Sequence, residues 1–455
     1  MAGIGFELRK LKQGDTGTST VAAYTYAGLI SSGPWIISIL SIVILSVVLR
    51  PLLRQAELDF FSASVTHVYA FSLILVGPLQ LVLTRYVADQ FSFRSRSRIF
   101  PSLLSALVIT AVVSGVVASV FFLGLVGGAL IHKVAAAALM VYVSCIFIAA
   151  NYLTALRGYK RVVTAFAVGY AASCLLAYGA VVAFGPDTAM LGFSCGHAVL
   201  FLMLLHSLHR EFGTDVSMRW DVLSYFRKFP SLALTGILYN VGIWGDKLMF
   251  WWVSEHRLQI SGALYAAPQY DVAIYLSLLS IVPGMAVFFL KLETDFAERY
   301  QAFFDAIDGG KTLSQIVACR EAMTESLRDG FRHLLAVQGI TTLLLLVFAD
   351  QVANAVGIGS IQMGIFRVTL FGAFLLIGFL SLLTILFYFD DRKGALVCTA
   401  VFATANVGLS IPTILANEAW YGIGFVFAAG FALMIALVRV NHRLANLESH
   451  IFRGV

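Results

Sequence analysis

Asp246 and Lys247 stand side by side in an apolar stretch that is long enough to cross a bilayer. An ionisable side chain inside such a span costs about 2.5–3.5 kcal/mol on insertion scales, so it should face the protein interior and find a partner. At helical spacing Thr235, Tyr239 and Asp246 belong to one stripe of polar or small residues, and Asn240 and Lys247 belong to the adjoining stripe. Two interpretations stay open: the stripes line a wet cavity in which Asp246 takes up a proton or sodium ion, or the charges form a structural ion pair.

Motifs of soluble enzymes are absent or out of place. Residues 192–196 fit G-x-S-x-G, but they lie inside an apolar run instead of a strand–turn–helix elbow. The segment 309–312 matches the end of a phosphate-binding loop, yet Asp305 occupies the position of its first glycine and no apolar strand precedes it. The five cysteines show neither C-x-x-C nor zinc-site spacing. We therefore expect a transporter without a catalytic motif, metal or cofactor, which does not hydrolyse ATP itself.

The amino-acid composition predicts the class of protein to which these residues belong. Hydrophobic residues make up 59% of the 455-residue chain and charged residues 12%, with a mean hydropathy of +0.87; soluble chains carry about 25% charge. Because a bilayer core about 30 Å thick requires about 20 apolar residues per helix, we predict an all-α polytopic membrane protein with twelve transmembrane helices. The predicted spans are 21–49, 63–83, 103–125, 134–156, 162–184, 188–208, 231–253, 264–290, 334–356, 364–388, 394–415 and 421–438.

Charge placement predicts the orientation of these spans. With the amino terminus in the cytoplasm, 25 of the 31 Lys and Arg residues fall in cytoplasmic segments, four fall outside and two lie within spans. Short cytoplasmic loops accumulate Lys and Arg, so both termini are predicted to be cytoplasmic. Basic loops facing an anionic leaflet account for the net charge of +6, and no nucleic-acid partner is needed.

The chain is predicted to consist of two six-helix bundles around a central cavity. The predicted segments are an amino-terminal segment 1–20, a first bundle 21–208, a linker 209–230, a second bundle 231–438 with a cytoplasmic loop 291–331, and a tail 439–455. Weak repetition supports duplication, since the second span contains Pro78 and is followed by Arg85, and the eighth contains Pro283 and is followed by Lys291. Within the loop, Thr312 and Gln315 resemble a capping box that starts an amphipathic helix, which could lie on the leaflet or dock a partner.

Polar stripes in further helices make a polar transport lumen the preferred interpretation over polar packing alone. Aromatic rings beside these stripes could stack on sugar rings. The predicted lumen residues are Tyr24, Ser31, Ser32, Trp35, Thr235, Tyr239, Asn240, Trp244, Asp246, Lys247, Asp271, Arg367, Asn406 and Ser410. Helix-bending residues in matching positions of two repeats point to a substrate path, and the predicted hinges are Gly33, Pro34, Pro78, Pro283 and Pro412.

The amino-terminal sequence MAGIGFELRKL, followed by YAGLISSGPW at 26–35, resembles the PelG family of inner-membrane exopolysaccharide transporters. Length and span plan are similar over the whole chain. The resemblance implies the superfamily of multidrug exporters, lipid-linked oligosaccharide flippases and polysaccharide exporters. It further implies export of a growing N-acetylgalactosamine-rich polymer, with a cytoplasmic UDP-sugar glycosyltransferase and membrane partners that include a cyclic-di-GMP receptor. The resemblance assigns no functional role to any individual residue of this chain.

Three other functions stay open. A flippase for a lipid-linked oligosaccharide would need cavity cations for a diphosphate, and within the spans only Lys247 and Arg367 are available. A cation-coupled drug exporter could use Asp246 but leaves the 291–331 loop unexplained. A scaffold that only anchors a glycosyltransferase would need no lumen.

Overall fold

The computed structural model describes residues 36–92, 95–155, 158–213 and 215–447, and within this part the chain is predominantly helical. The described residues divide into two compact units, 36–268 and 269–447. Large apolar side chains on the helix surfaces, such as Val116, Leu175 and Leu343, are more than half exposed. A helix with apolar residues on all sides is typical of a membrane span, where the outer face contacts hydrocarbon.

The first unit is a set of antiparallel helices followed by a short hairpin. Its helices α1 to α8 are Ile36–Leu49, Gln55–Ser92, Ile99–Ala118, Leu130–Ala155, Tyr159–Phe184, Ala189–Phe212, Val222–Lys228 and Pro230–Trp252, and its strands β1 and β2 are Leu258–Ser261 and Leu264–Ala266.

The second unit is entirely helical in its described part. Its helices α9 to α16 are Pro268–Leu279, Val282–Lys291, Ala297–Asp308, Leu313–Val347, Ala349–Val356, Ser360–Tyr388, Arg392–Ala416 and Ile423–Ala445. Two π-helical turns, Ser119–Leu125 and Leu292–Phe296, extend α3 and join α10 to α11.

Among the described residues, ten helical segments are long and apolar enough to cross a membrane, and they coincide with the second to sixth and the eighth to twelfth predicted spans. The first predicted span begins outside the described residues, which show only its second part, α1. The seventh is α8, a helix of 23 residues that carries the two internal charges. A polytopic helical membrane protein is therefore confirmed, and twelve spans with two cytoplasmic ends stay a prediction.

One predicted boundary was wrong. Residues 264–266, predicted as the start of the eighth span, form β2, and the helix begins at Pro268, where the fixed φ of proline suits the first turn.

The capping box at Thr312 and Gln315 is confirmed, with the Thr312 N–H donating to Gln315 Oε1 at 3.2 Å. The helix that it starts is not a separate element, because α12 runs without a break from Leu313 into the ninth predicted span.

The hairpin β1–β2 follows α8 and packs at the end of α3. Its strands pair antiparallel, with Leu258 opposite Ala266, and Gly262 adopts a φ of +57° in the turn, a conformation that favours glycine. The Ala263 N–H donates to Leu125 O at 3.0 Å, which attaches the turn to the π-helical end of α3. The hairpin is thus held in place by a backbone hydrogen bond.

Helices α2 and α8 cross at two glycines. A Cβ built on Gly236 would lie 1.9 Å from Gly77 O, and a Cβ built on Gly77 would lie 2.5 Å from Gly236 O. Small residues allow such close approach of two membrane helices, where van der Waals contact replaces the hydrophobic effect. The seventh predicted span therefore packs on the second span within the unit 36–268, and the bundle boundaries 21–208 and 231–438 stay a prediction.

The linker before α8 is fixed to the ends of α2 and α3 by hydrogen bonds. Tyr86 OH donates to Asp221 Oδ2 at 3.2 Å, and Tyr225 OH donates to Asp89 Oδ2 at 3.1 Å. Helix α2 thus supplies Tyr86 and Asp89, and the linker supplies Asp221, which directly precedes α7, and Tyr225 within α7. Hydrogen bonds to charged groups contribute about 1.5–3 kcal/mol each. Burial, and then the Asp89 carboxylate, raises the pKa of Tyr225, so this phenol stays a neutral donor at physiological pH.

Gly236→Ala is expected to destabilise the protein by about 1–3 kcal/mol, because the new methyl group overlaps the Gly77 carbonyl and forces the helices apart. Thermal unfolding of the detergent-solubilised protein measures the effect as a lowered Tm. The control is Gly179→Ala in α5, where a Cβ meets nothing within 4 Å. An equal Tm for both variants would contradict the close crossing.

Candidate functional site

The charges of Asp246 and Lys247 are fully enclosed in the first unit. Asp246 is 0% exposed and Lys247 is 1% exposed. Lys247 Nζ lies 3.0 Å from Asp246 Oδ1 and 3.2 Å from Oδ2, and it donates to Ile243 O at 2.8 Å. Neighbouring residues on a helix do not face each other, so the lysine side chain bends back to reach the carboxylate. In this conformation the two charges neutralise each other.

The other predicted lumen residues of α8 are mostly buried as well. Thr235 donates to Ser231 O at 2.7 Å and Asn240 Nδ2 donates to Gly236 O at 3.0 Å, so each side chain bonds to a carbonyl one turn earlier in its own helix. Trp244 is buried and Tyr239 is half-buried. Gly236 and Asn240 lie beside Gly77 of α2. The role of these residues as a lumen wall stays a prediction.

In the second unit the predicted lumen residues are separated into buried and exposed groups. Asn406 and Ser410 on α15 are buried, and Ser410 Oγ donates to Asn406 O at 2.6 Å. Asp271 is half-buried in the first turn of α9, where a carboxylate is favoured by the helix dipole. Arg367 is 49% exposed and pairs with the exposed Asp350 at 3.0 Å, so its charge already has a surface partner.

The predicted hinge prolines have different local structures. Pro78 and Pro412 lie inside the continuous helices α2 and α15. Pro283 directly follows a break at residues 280–281, where α9 ends and α10 begins. Gln338 Nε2 donates to Ser280 O at 3.1 Å, which satisfies a carbonyl at this break. Of these three prolines, only Pro283 coincides with an interrupted helix.

Side chains of α14 also stabilise the break at residues 280–281. Ser277 Oγ lies 2.6 Å from Thr369 Oγ1 and donates to Ala273 O, while Ser280 Oγ donates to Ser277 O at 2.6 Å. Three helices, α9, α12 and α14, thus contribute polar groups to one buried cluster. Sequence reasoning found Pro283 but missed these partners, because Gln338 and Thr369 are distant in the chain.

Sequence reasoning also missed a buried hydrogen-bond chain in the first unit. Tyr69 OH contacts both Tyr170 OH and His197 Nε2, the latter at 3.0 Å. His197 Nδ1 lies 3.1 Å from Ser173 Oγ and 3.0 Å from Phe193 O. The chain joins α2, α5 and α6. A histidine in an apolar span was the available signal, but its partners could not be identified without the tertiary structure.

Two buried histidine rings of the first unit stack on aromatic side chains. The His67 ring stacks on Trp251 at 4.3 Å between centroids, and the His132 ring stacks on Phe60 at 4.0 Å while Ser64 Oγ lies 3.1 Å from His132 Nε2. These rings are mostly enclosed within the first unit, so they pack the interior. Among the described residues, no group of three or more His, Cys, Asp and Glu side chains is arranged to hold a metal ion.

The predicted residues Tyr24, Ser31, Ser32 and Trp35 and the predicted hinges Gly33 and Pro34 lie outside the described residues.

Ion pairs occur at corresponding places of the two proposed repeats. Arg85 Nε lies 3.1 Å from Asp89 Oδ1 at the end of α2, and Lys291 Nζ lies 3.0 Å from Asp295 Oδ2 at the end of α10. Both pairs join residues four apart, on the same face of a helix. They follow Pro78 and Pro283 at about the same distance, which supports internal duplication.

Asp246→Asn and Lys247→Met are each expected to destabilise the protein by about 3–5 kcal/mol, because each leaves a buried charge without its counter-ion. The double variant is expected to recover most of this loss. Thermal unfolding in detergent measures all three.

Asp350→Asn breaks the exposed pair with Arg367 and serves as the control, with an expected change of about 0–1 kcal/mol. If Asp246→Asn and Lys247→Met each lower the Tm no more than Asp350→Asn does, the Asp246–Lys247 pair contributes nothing to stability.

Comparison of the fold with solved structures shows similarity to transporters. The chain superposes on the outward-facing form of a multidrug resistance MATE family transporter of the MOP superfamily with a TM-score of 0.64 and 14% identity, covering 93% of this chain and 96% of that chain. A MOP superfamily transporter from Pyrococcus furiosus Vc1 gives 0.65 and 13%, covering 93% and 96%. An inward-facing MATE transporter gives 0.62 and 13%, covering 93% and 95%. At these identities the likeness shows the fold, which is that of MATE-like transporters.

No curated protein sequence matches the chain. One family model, PelG, described as "Putative exopolysaccharide Exporter (EPS-E)", matches residues 1–452. This match covers nearly the whole chain, including the amino-terminal motif, and it agrees with the transporter fold. The chain belongs to the PelG family.

Proposed function

We propose that this protein exports a growing, N-acetylgalactosamine-rich Pel exopolysaccharide across the bacterial inner membrane for the biofilm matrix. The observation that carries the proposal is the family match over residues 1–452. The polymer is supplied by a cytoplasmic UDP-sugar glycosyltransferase, and membrane partners including a cyclic-di-GMP receptor belong to the same assembly. The MATE-like fold supports transport as the activity.

The transport path that we propose uses the polar residues of α8 and α15 together with the amino-terminal residues. Asp246, Lys247, Asn240 and Asn406 are buried in the present conformation, so polymer passage requires the helices that cover them to move. The break before Pro283 is the best-supported place for such movement, because fewer backbone hydrogen bonds must change where the helix is already interrupted.

A cation-coupled drug exporter is the second candidate, favoured by the fold shared with multidrug MATE transporters. Such a protein needs a carboxylate that binds and releases a cation during the cycle. Asp246 is held by Lys247 at 3.0 Å, which disfavours that role in this conformation. A flippase for a lipid-linked oligosaccharide would need free cations at the path, whereas Arg367 already pairs with Asp350.

In a strain that makes the polymer, loss of this protein is expected to abolish secreted polysaccharide, and Trp35→Ala and the double variant Asp246→Asn/Lys247→Met are expected to lower it several-fold at unchanged protein level. Secreted sugar is measured against membrane protein abundance. The double variant removes both charges of the buried pair, and the measured protein abundance separates a folding defect from a loss of export.

Full secretion by both well-folded variants would contradict the proposed path. Continued secretion without the protein would contradict the proposed function. Drug resistance conferred by the protein in a strain that makes no polymer would favour the second candidate.

The proposed orientation places the 255–262 loop outside and the α11–α12 turn in the cytoplasm. Glu255 and Lys311 are both exposed, so Glu255→Cys is expected to react with a membrane-impermeant maleimide in intact cells, whereas Lys311→Cys is expected to react only after permeabilisation. The unsubstituted protein controls for the native cysteines. Labelling of Lys311→Cys in intact cells would reverse the orientation.

A further inference from the structure

The linker between α6 and α8 exposes apolar side chains although it is not a membrane span. Val216 is 69% exposed, Met218 52%, Trp220 47% and Leu223 45%. In the sequence, Val216, Met218 and Trp220 alternate with polar residues, and Leu223 lies on α7. Several exposed apolar residues within eight positions of a polar connection indicate an interaction surface.

Basic residues are interspersed with these apolar side chains. Arg219, Arg227 and Lys228 are exposed. Leu223 and Arg227 are four residues apart and therefore share the outer face of α7. Lys228 Nζ lies 5.3 Å from the centre of the Phe229 ring, close to the start of α8. An element with apolar residues and cations side by side is typical of the membrane interface.

Hydrogen bonds attach the linker to neighbouring helices with its apolar residues turned outward. The Arg219 N–H donates to Pro101 O at 3.4 Å, and the two tyrosine–aspartate hydrogen bonds hold Asp221 and Tyr225. Val222, between them, is 1% exposed and fixes the inner face of α7. The same contacts that bury Val222 therefore keep Leu223 and Trp220 turned outward.

The position of the linker indicates that its partner is a lipid surface. The linker begins just after α6 ends at Phe212 and ends just before α8 starts at Pro230. Because α6 is long and apolar enough to cross a membrane, we place the linker at the border of the membrane. Tryptophan and long basic side chains concentrate at this depth. A protein partner would need about 20–30 residues on each side of a standard interface, more than the linker provides.

We propose that residues 215–228 form a membrane-surface element. Val216, Met218, Trp220 and Leu223 enter the boundary of the leaflet, and Arg219, Arg227 and Lys228 bind phospholipid phosphates. The element anchors the start of α8 at a fixed depth. This binding does not depend on which cargo is transported.

Met218→Cys in a Cys195→Ser background, carrying an environment-sensitive fluorophore on the full-length protein in phospholipid vesicles, tests the insertion. We expect strong quenching by lipids with a shallow nitroxide group and several-fold weaker quenching by aqueous iodide than at Lys311→Cys, the matched exposed control. The same protein without Met218→Cys measures labelling of the native cysteines.

The role of the cations is tested with the triple variant Arg219→Gln/Arg227→Gln/Lys228→Gln in the same background. In the parent, vesicles containing phosphatidylglycerol are expected to protect the label from iodide better than phosphatidylcholine alone, and the triple variant is expected to lose this difference.

If the Met218 label is as open to iodide as the Lys311 label and unaffected by nitroxide lipids, the proposal is wrong. Protection that arises only when the glycosyltransferase is added would also overturn it, in favour of a protein-docking surface.

Discussion

Hydrocarbon offers no hydrogen bonds, and this constraint governs the helices, breaks and buried charges of the protein. In hydrocarbon a helix bonds its backbone groups within itself, and α2 continues over 38 residues although Pro78 has no N–H to donate. Where the helix is interrupted at residues 280–281, Gln338 reaches across from α12 to the Ser280 carbonyl. The side chain of a neighbouring helix thus provides the partner that water would provide in a soluble protein.

The same constraint explains how the charges of α8 are accommodated. Asp246 and Lys247 lie within contact distance of each other and are almost completely enclosed. An unpaired charge there would be strongly unfavourable, whereas a neutral pair can be enclosed at lower cost. The Arg367–Asp350 pair is not enclosed by protein, since its side chains are 49% and 67% exposed, and exposed pairs contribute about 0–1 kcal/mol.

Polar side chains also connect segments that are far apart in the chain. Tyr69, Tyr170 and His197 join three helices of the first unit, and Ser277, Thr369 and Gln338 join three helices of the second. The linker is attached to α2 by the same means, through Tyr86 and Tyr225. Close contact between helices then depends on small residues, as at Gly77 and Gly236, where no side chain separates the backbones.

The sequence alone determined the membrane class, ten of the spans, the capping box at Thr312 and the family, because hydropathy, capping and motif residues are local properties of the chain. It also located the helix-breaking Pro283 and the buried charges of α8. Only the tertiary structure showed that Lys247 bends back onto its neighbour, that Pro78 causes no break, and that residues 264–266 form a strand. These features depend on packing between residues distant in sequence, and the period of the apolar pattern contains no information about such partners.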